Sequence, residues 1–285
     1  MEKIRIITDS ASDIVASERT DLTVLPMSIR FGEEEFFDGV TISHHEFYEK
    51  LIESDTLPVT SLIGPAVFEE ACQKAVESGE KVLIITLSSK LSGTFQSAQL
   101  AAREFEGDVY VIDSLNATIG EQILVNYALS LLDRHTPLSK IVKILEHARE
   151  KIHIIGLLDT LEYLKKGGRI SKTAAFVGGT LSIKPVVTVS GGEVVMLGKA
   201  RGSRNGNNFL IKEIEKTDGV DFDKPFCLGY TGLDDTMLQK YIKDSEALWT
   251  GYTEHLPICS VGATIGTHVG PNAIVVAFFE KGVKA

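Results

Sequence analysis

KVLIITLSSKLSGTFQSAQLAAREFEGDVYVID, residues 81–113, is the stretch on which the fold turns. Lys81–Leu87 is a short apolar run rich in β-branched residues, as a buried strand requires. Residues 94–105 follow with Phe95, Ala98, Ala102 and Phe105 at helical spacing, and Val109–Asp113 reads as a second strand. Strand, helix and strand at this length form a βαβ unit, which predicts a parallel pair with a right-handed crossover. Ser92 and Gly93 fall where the helix begins, just past the carboxyl end of the first strand. Unpaired backbone N–H groups and the positive end of the helix dipole meet there, so this turn suits an anion.

Working outward, the chain of 285 residues is long enough for one large domain or two ordinary ones. Its formal charge of −10 argues against a nucleic-acid surface. The charge is uneven. Residues 165–204 carry Lys165, Lys166, Arg169, Lys172, Lys184, Lys199, Arg201 and Arg204 against Glu193 alone, a net +7 that leaves −17 for the remainder. Such a window is either a solvated face or a surface for an anionic ligand or partner. The opening MEKIRIITDS enters a strand directly, and no apolar run is long enough for a membrane span. Cys72, Cys227 and Cys259 are distant and odd in number, which disfavours a disulfide framework and a zinc cluster. These features predict a cytoplasmic protein with no integral membrane segment.

Before the central unit, Ile4–Ser10 reads as a strand. Asp9, Ser12 and Asp13 follow it as cap and turn chemistry. Leu22–Phe31 reads as another strand, with Pro26 marking an edge or break. Gly32–Gly39 reads as an acidic turn, 45–54 as a helix, and Leu57–Pro65 as a turn region leading to a helix closed by Gly79. Two more helices are predicted over 117–133 and 138–149. After about residue 152 the pattern changes. A strand at 152–159 precedes a short helix ending in paired glycines, then a hairpin turning at Gly191-Gly192 and further strands near 226–232 and 273–281, with a helix between them. The expected fold class is α/β with two domains: residues 1–158 with a parallel sheet in an α/β/α layer, and 159–285 with a mixed or antiparallel sheet and helices.

Familiar reaction motifs are missing. A hydrolase elbow needs Gly-x-Ser-x-Gly, and Leu91-Ser92-Gly93 lacks the first glycine. Neither a dinucleotide fingerprint nor a phosphate loop occurs. His44, His45 and Glu49 share one helical turn but lack a third partner for a metal. What recurs is small turns rich in hydroxyls and glycine beside apolar strands: Thr60-Ser61, Ser88-Ser89, Ser92-Gly93-Thr94 and Gly262–Pro271 with His268. Glycines admit close backbone approach, and hydroxyls donate to an oxyanion.

LSSKLSGTFQSA (87–98), DTLEYLKKGGRIS (159–171), KARGSRN (199–205) and IGTHVGPNAIVVAF (265–278), with ITDSASDI (7–14), resemble the motifs of the DegV family. The likeness runs from the first strand to the last, in the family's order. It implies a bacterial fatty-acid-binding protein that serves phospholipid metabolism as the acyl-carrying subunit of a two-component fatty acid kinase. It further implies a C14–C18 acid such as palmitate held between two domains, with no other cofactor and no metal. The carboxylate is then expected on Thr60, Ser61, Ser92 and Gly93 with His268 nearby. Arg201, with Arg169, Lys165 and Lys166, is expected on the phosphoryl-transfer or partner face. The family usually continues Thr-Ser with Gln-Pro, whereas this chain has Leu62-Ile63, two apolar side chains in place of an amide. Leu62, Ile63, Phe176, Val177 and Ile265 are candidate liners of the acyl pocket. The rival readings are a serine acyl-hydrolase using Ser92 and His268 with Asp9 or Asp113, and a binding module for some other small carboxylate.

Overall fold

The computed structural model describes residues 2–15, 19–170 and 183–282. Strand β1 (Ile4–Asp9) leads through a 3-10 turn at Ser10–Ser12 to β2 (Leu22–Leu25). Asp9 caps that turn by accepting from Ala11 N–H at 3.0 Å. Pro26 then breaks the run, because it has no N–H to give a ladder. The chain leaves the parallel sheet there and continues as β3 (Ser28–Phe31) in a different one.

The acidic stretch expected to be a turn is instead a hairpin. Gly32, at φ +59°, opens a two-residue loop into β4 (Glu34–Phe37), and Phe31 pairs with Glu34. Glycine at the first loop position is what such a tight connection demands. Helix α1 (His44–Glu53) follows under a capping box of Ser43 and Glu46. The turn-rich stretch before the next helix holds a further strand, β5 (Val59–Ser61), antiparallel to β3. Three residues are too few for a periodicity to register, so Thr60 and Ser61 lie on a strand and not at a helix start.

Helix α2 (Pro65–Glu77) leads to β6 (Lys81–Thr86), α3 (Thr94–Ala102) and β7 (Val109–Asp113). The expected parallel pair is present, with Ile84 opposite Val111. β6 is buried on both faces from Val82 onward, as a central parallel strand must be. The buried face of α3 is Thr94, Ser97, Ala98 and Ala101, rotated from the Phe95–Ala102 stripe of the sequence reading. Helices α4 (Ile119–Asp133) and α5 (Leu138–Ala148) complete this half.

The second half comprises β8 (Ile152–Leu157), α6 (Glu162–Lys166), β9 (Ile183–Ser190), β10 (Glu193–Arg201), α7 (Gly202–Glu215), β11 (Cys227–Tyr230), α8 (Thr236–Asp244), α9 (Glu246–Trp249), β12 (Ile258–Ser260), α10 (Ala263–Val269) and β13 (Ile274–Phe279). The parallel sheet has the order β2-β1-β6-β7; a mixed sheet runs β10-β9-β8-β13-β11-β12; a small sheet runs β4-β3-β5. The hairpin at Gly191-Gly192 is as expected, both glycines lying at positive φ. One boundary moves. Ile152–Leu157, placed by the sequence reading before a break at 158, pairs with β9 and β13 and so belongs to the mixed sheet.

In the parallel sheet, the chain runs outward in one direction from β1 and in the other from β6. The β1/β6 junction is therefore the topological switch point, and a crevice opens outside the carboxyl ends of these strands. Asp9 bridges the junction by accepting from Leu87 N–H at 2.9 Å. α4 packs on β1 and also on β13, so its buried face joins the two large sheets.

Candidate functional site

A cavity of about 450 Å³ lies outside the carboxyl ends of these parallel strands, walled by the segments that follow them, the mixed sheet, β5, α6 and α10. That volume is ordinary for a small-molecule site. Thr60, Ser61, Ser92, Gly93, His268 and Arg169 all border it. The tertiary fold thus brings together five expected head-group residues and one residue expected on the partner face. Much of the remaining wall is aliphatic, including Leu87, Leu158, Val187, Val189, Ile265 and Val275.

Thr60 Oγ1 lies 2.9 Å from His268 Nε2. The other ring nitrogen, Nδ1, is buried without a hydrogen-bond partner. An orphaned buried donor is rarer than an orphaned acceptor, which assigns the proton to Nε2. Nε2–H then donates to Thr60, and the Thr60 hydroxyl proton is free to point at a ligand. Burial, followed by the nearby positive charge of Arg169, pushes the His268 imidazole from its ordinary 6.5 down to about 4. His268 is consequently neutral at pH 7, and the cation at the cavity wall is Arg169. The guanidinium is held by the carbonyls of Leu91, 3.2 Å from Nε, and Gly167, 2.5 Å from Nη1.

Ser92 lies just before α3, whose N-cap is Gly93, in the turn the βαβ reading requires. Its Oγ accepts from Thr94 N–H at 3.3 Å and lies 3.0 Å from Thr94 Oγ1. Thr94 Oγ1 in turn accepts from Ile63 N–H at 3.4 Å. With the Thr94 hydroxyl donating to Ser92, the Ser92 proton is available to an oxyanion, beside the unpaired N–H groups of the helix start.

Several glycines stand where a side chain would meet a neighbour. A Cβ at Gly93 would sit 2.9 Å from Leu62 Cδ2, so Leu62 lies directly over the Ser92-Gly93 turn. At Gly167 a Cβ would meet His268 Nδ1 at 2.2 Å. In the Gly-rich segment, a Cβ at Gly262 would meet His44 Nε2 at 2.7 Å, and one at Gly266 would meet Phe47 and Tyr48, both at 2.7 Å. Gly167, Gly262 and Gly266 let α10 pack against its neighbours.

Position along α10 is set by carboxylates. Asp13 accepts from Gly262 N–H at 2.8 Å, and Asp38 accepts from Ala263 and Thr264 N–H groups, both at 3.0 Å. Asp13 also accepts from Thr118 Oγ1 at 2.5 Å. Burial pushes the Asp13 carboxyl well above its usual range and that of Asp9 up to about 7. Asp13 and Asp38 are thereby the missed members of the site, since they hold the helix that carries His268. The spacing from Asp13 and Asp38 to Gly262 is long range, and no local pattern announces it.

Other expectations are placed elsewhere. Of the candidate liners, Leu62 and Ile265 border the cavity, while Ile63 is buried in the core beside α2. Phe176, Val177 and Lys172 lie outside the described residues. Arg201 is exposed at the end of β10, Lys166 is exposed and paired with Glu162 at 2.7 Å, and Lys165 is half-buried on α6; none of the three borders the cavity.

The hydrolase arrangement is not assembled. His268 Nε2 faces Thr60, while Ser92 is hydrogen-bonded to Thr94. Asp9 is occupied by Ala11 and Leu87 N–H groups, and Asp113 by those of Ser89 and Leu115. His45 pairs with Glu49 at 3.4 Å on an exposed turn. Among the described residues, no group of three or more His, Cys, Asp or Glu side chains could hold a metal ion. Nor is any described helix long and apolar enough to cross a membrane.

Comparison with known proteins agrees with this fold. The model of the family described as "Uncharacterised protein, DegV family" matches residues 3–281. A DegV domain-containing protein of Caldanaerobacter subterraneus is 34% identical over 99% of this chain and 100% of its own. Among solved structures, a fatty-acid-binding DegV family protein from Thermus thermophilus superposes with a TM-score of 0.86. It is 32% identical, over 97% of this chain and 99% of that one. The Streptococcus pneumoniae fatty acid kinase B3 protein loaded with linoleic acid has a TM-score of 0.84 at 22% identity. The match covers 98% of this chain and all of the other, a likeness of fold.

Proposed function

Because the chain belongs to the DegV family, we propose that it binds a long-chain fatty acid in this cavity and presents the carboxylate to a separate ATP-dependent kinase subunit, which forms the acyl phosphate. The carrying observation is that Thr60, Ser92, His268 and Arg169 border one cavity whose remaining wall is largely apolar. The Thermus thermophilus relative, at 32% identity, is a fatty-acid-binding protein, and that supports the ligand class.

The energetics favour the tail as the source of affinity. Each methylene removed from water contributes roughly 0.8 kcal/mol, so about 14 of them offer roughly 11 kcal/mol gross. Lost ligand freedom offsets several kcal/mol of this. The head group chiefly fixes position. A buried carboxylate is tolerable only with donors, and the Thr60 and Ser92 hydroxyls, the α3 N-terminus and the Arg169 charge supply them. His268 contributes as a neutral donor that orients Thr60.

Acyl-phosphate formation then requires the carboxylate to attack the γ-phosphate in line, mainly a matter of positioning and charge stabilisation. The sequence carries no phosphate loop, so the nucleotide is assigned to the kinase subunit. In this reading Arg169, Arg201, Lys165 and Lys166 face that partner or the new phosphate. The ligand lies between the two proposed domains, with Ile152–Leu157 counted in the second, and the protein acts in the cytoplasm.

Native mass spectrometry of the protein purified from bacteria tests the proposal. A bound mass in the range of a C14–C18 acid is the expected result. A mass for a different small carboxylate, or protein that stays empty when offered palmitate, overturns it. A fluorophosphonate probe is expected to leave Ser92 unlabelled.

A further inference from the structure

A second concavity, of about 430 Å³, lies between α5 and the end of β13 and shares no lining residue with the first. Its floor is apolar: Tyr127, Ile144, Ala148 and Phe279. Tyr127 and Phe279 meet edge to face, with ring centroids 5.4 Å apart. Its rim is basic: Lys140, Lys143, His147 and Lys151 from one side and Lys224 from the other, with Glu280 as its acidic member. Positions 140, 143, 147 and 151 recur every three or four residues, so they fall on one face of α5 and the 3-10 turn that extends it.

Like charges at this spacing repel. Glu146 and Glu150 lie three residues beyond Lys143 and His147 but do not line the groove. Glu280 is engaged by His153 at 3.3 Å and lies 4.0 Å from Lys151. Lys224 is paired with Asp221 and sits 5.9 Å from the Phe279 ring centroid. Among the described residues, Lys140 and Lys143 have no acidic partner. In a chain of net charge −10, two such lysines with Lys151 and Lys224 around an aromatic floor are a local reversal of sign.

We propose that this groove is a second ligand site, for a small organic polyphosphate whose other end is flat or apolar, as in a nucleoside triphosphate. The phosphates lie along the Lys140–Lys151 rim, where several ammonium groups share them. The flat or apolar end covers Tyr127 and Ile144. Occupancy relieves the repulsion along α5, and the groove shares no lining residue with the first cavity.

Isothermal titration calorimetry of the full chain with ATP, tripolyphosphate and inorganic phosphate tests the proposal. ATP is expected to bind once per chain, about tenfold tighter than tripolyphosphate. The double variant Lys140→Glu, Lys143→Glu is expected to weaken ATP at least tenfold without changing fatty acid binding. Lys140→Gln, Lys143→Gln guards against a folding effect and is expected to show an intermediate loss. Absence of saturable ATP binding, or affinity unchanged in both variants, overturns the site. Equal affinity for tripolyphosphate and ATP overturns the role of the apolar floor. Binding to phosphatidylglycerol vesicles without binding to any soluble phosphate reassigns the patch to a lipid surface and overturns the proposal.

Discussion

His268 Nε2 sits 2.9 Å from Thr60 Oγ1, joining residues 208 positions apart, while His268 Nδ1 remains buried and unpartnered. The pair acts as one donor. The imidazole spends its single proton on Thr60, which turns the threonine hydroxyl outward.

Thr60→Val keeps the shape and removes that hydroxyl. A hydrogen bond to a charged group is worth roughly 1.5–3 kcal/mol, so palmitate affinity is expected to fall at least tenfold. Displacement of a fluorescent fatty acid measures it, and an unchanged affinity would remove Thr60 from the head-group site.

Ser92→Ala is expected to bind the acid with its tail intact yet to be phosphorylated poorly, because the carboxylate loses an aiming donor. Thermal stability should change by less than about 1 kcal/mol, since Ser92 is half-buried and its bonds are local. Acyl-phosphate formation with a cognate kinase is the measurement. Full activity of the variant would falsify the assignment.

Gly167→Ala places a methyl 2.2 Å from His268 Nδ1. Backbone strain is not the issue, since Gly167 has a helical φ of −72°. The imidazole must move, and overpacking of this kind costs about 1–3 kcal/mol. Both the melting temperature and palmitate affinity should drop, whereas alanine at Gly168, where nothing lies within 4 Å but φ is +71°, should lower stability alone.

Acidification should separate two buried groups. His268, depressed to about 4, contributes stability that is present above pH 6.5 and is lost as pH falls toward 4. Asp9, raised to about 7, contributes in the opposite sense: its part is complete below about pH 4 and is lost as pH rises through 7. The stability difference between wild type and His268→Gln isolates the first. It should shrink by about 3 kcal/mol between pH 7 and pH 4, as followed by urea unfolding at a series of pH values. A difference that stays constant with pH would show that His268 is not held neutral by the fold.

Much of the architecture was legible in local patterns because local physics produces it. The unbroken apolar run of β6, the helical spacing of 94–105 and the paired glycines at 191–192 each restrict the backbone to one element. Pro26 announced a break for the same reason. Short strands were not legible. β4 and β5 are stabilised by pairing with β3, and their few residues carry no period of their own.

The site divides along the same line. By itself, the sequence determined the strand-to-helix turn at Ser92-Gly93, since an apolar run followed by helical spacing places a turn there wherever it occurs. It also supplied the hydroxyls and the histidine. Tertiary structure alone decided that Thr60 meets His268, that Asp13 and Asp38 clasp α10, and that Arg169 rather than His268 carries the charge. Those outcomes depend on burial and on contacts across the chain, and a linear order of residues contains neither a dielectric nor a distance.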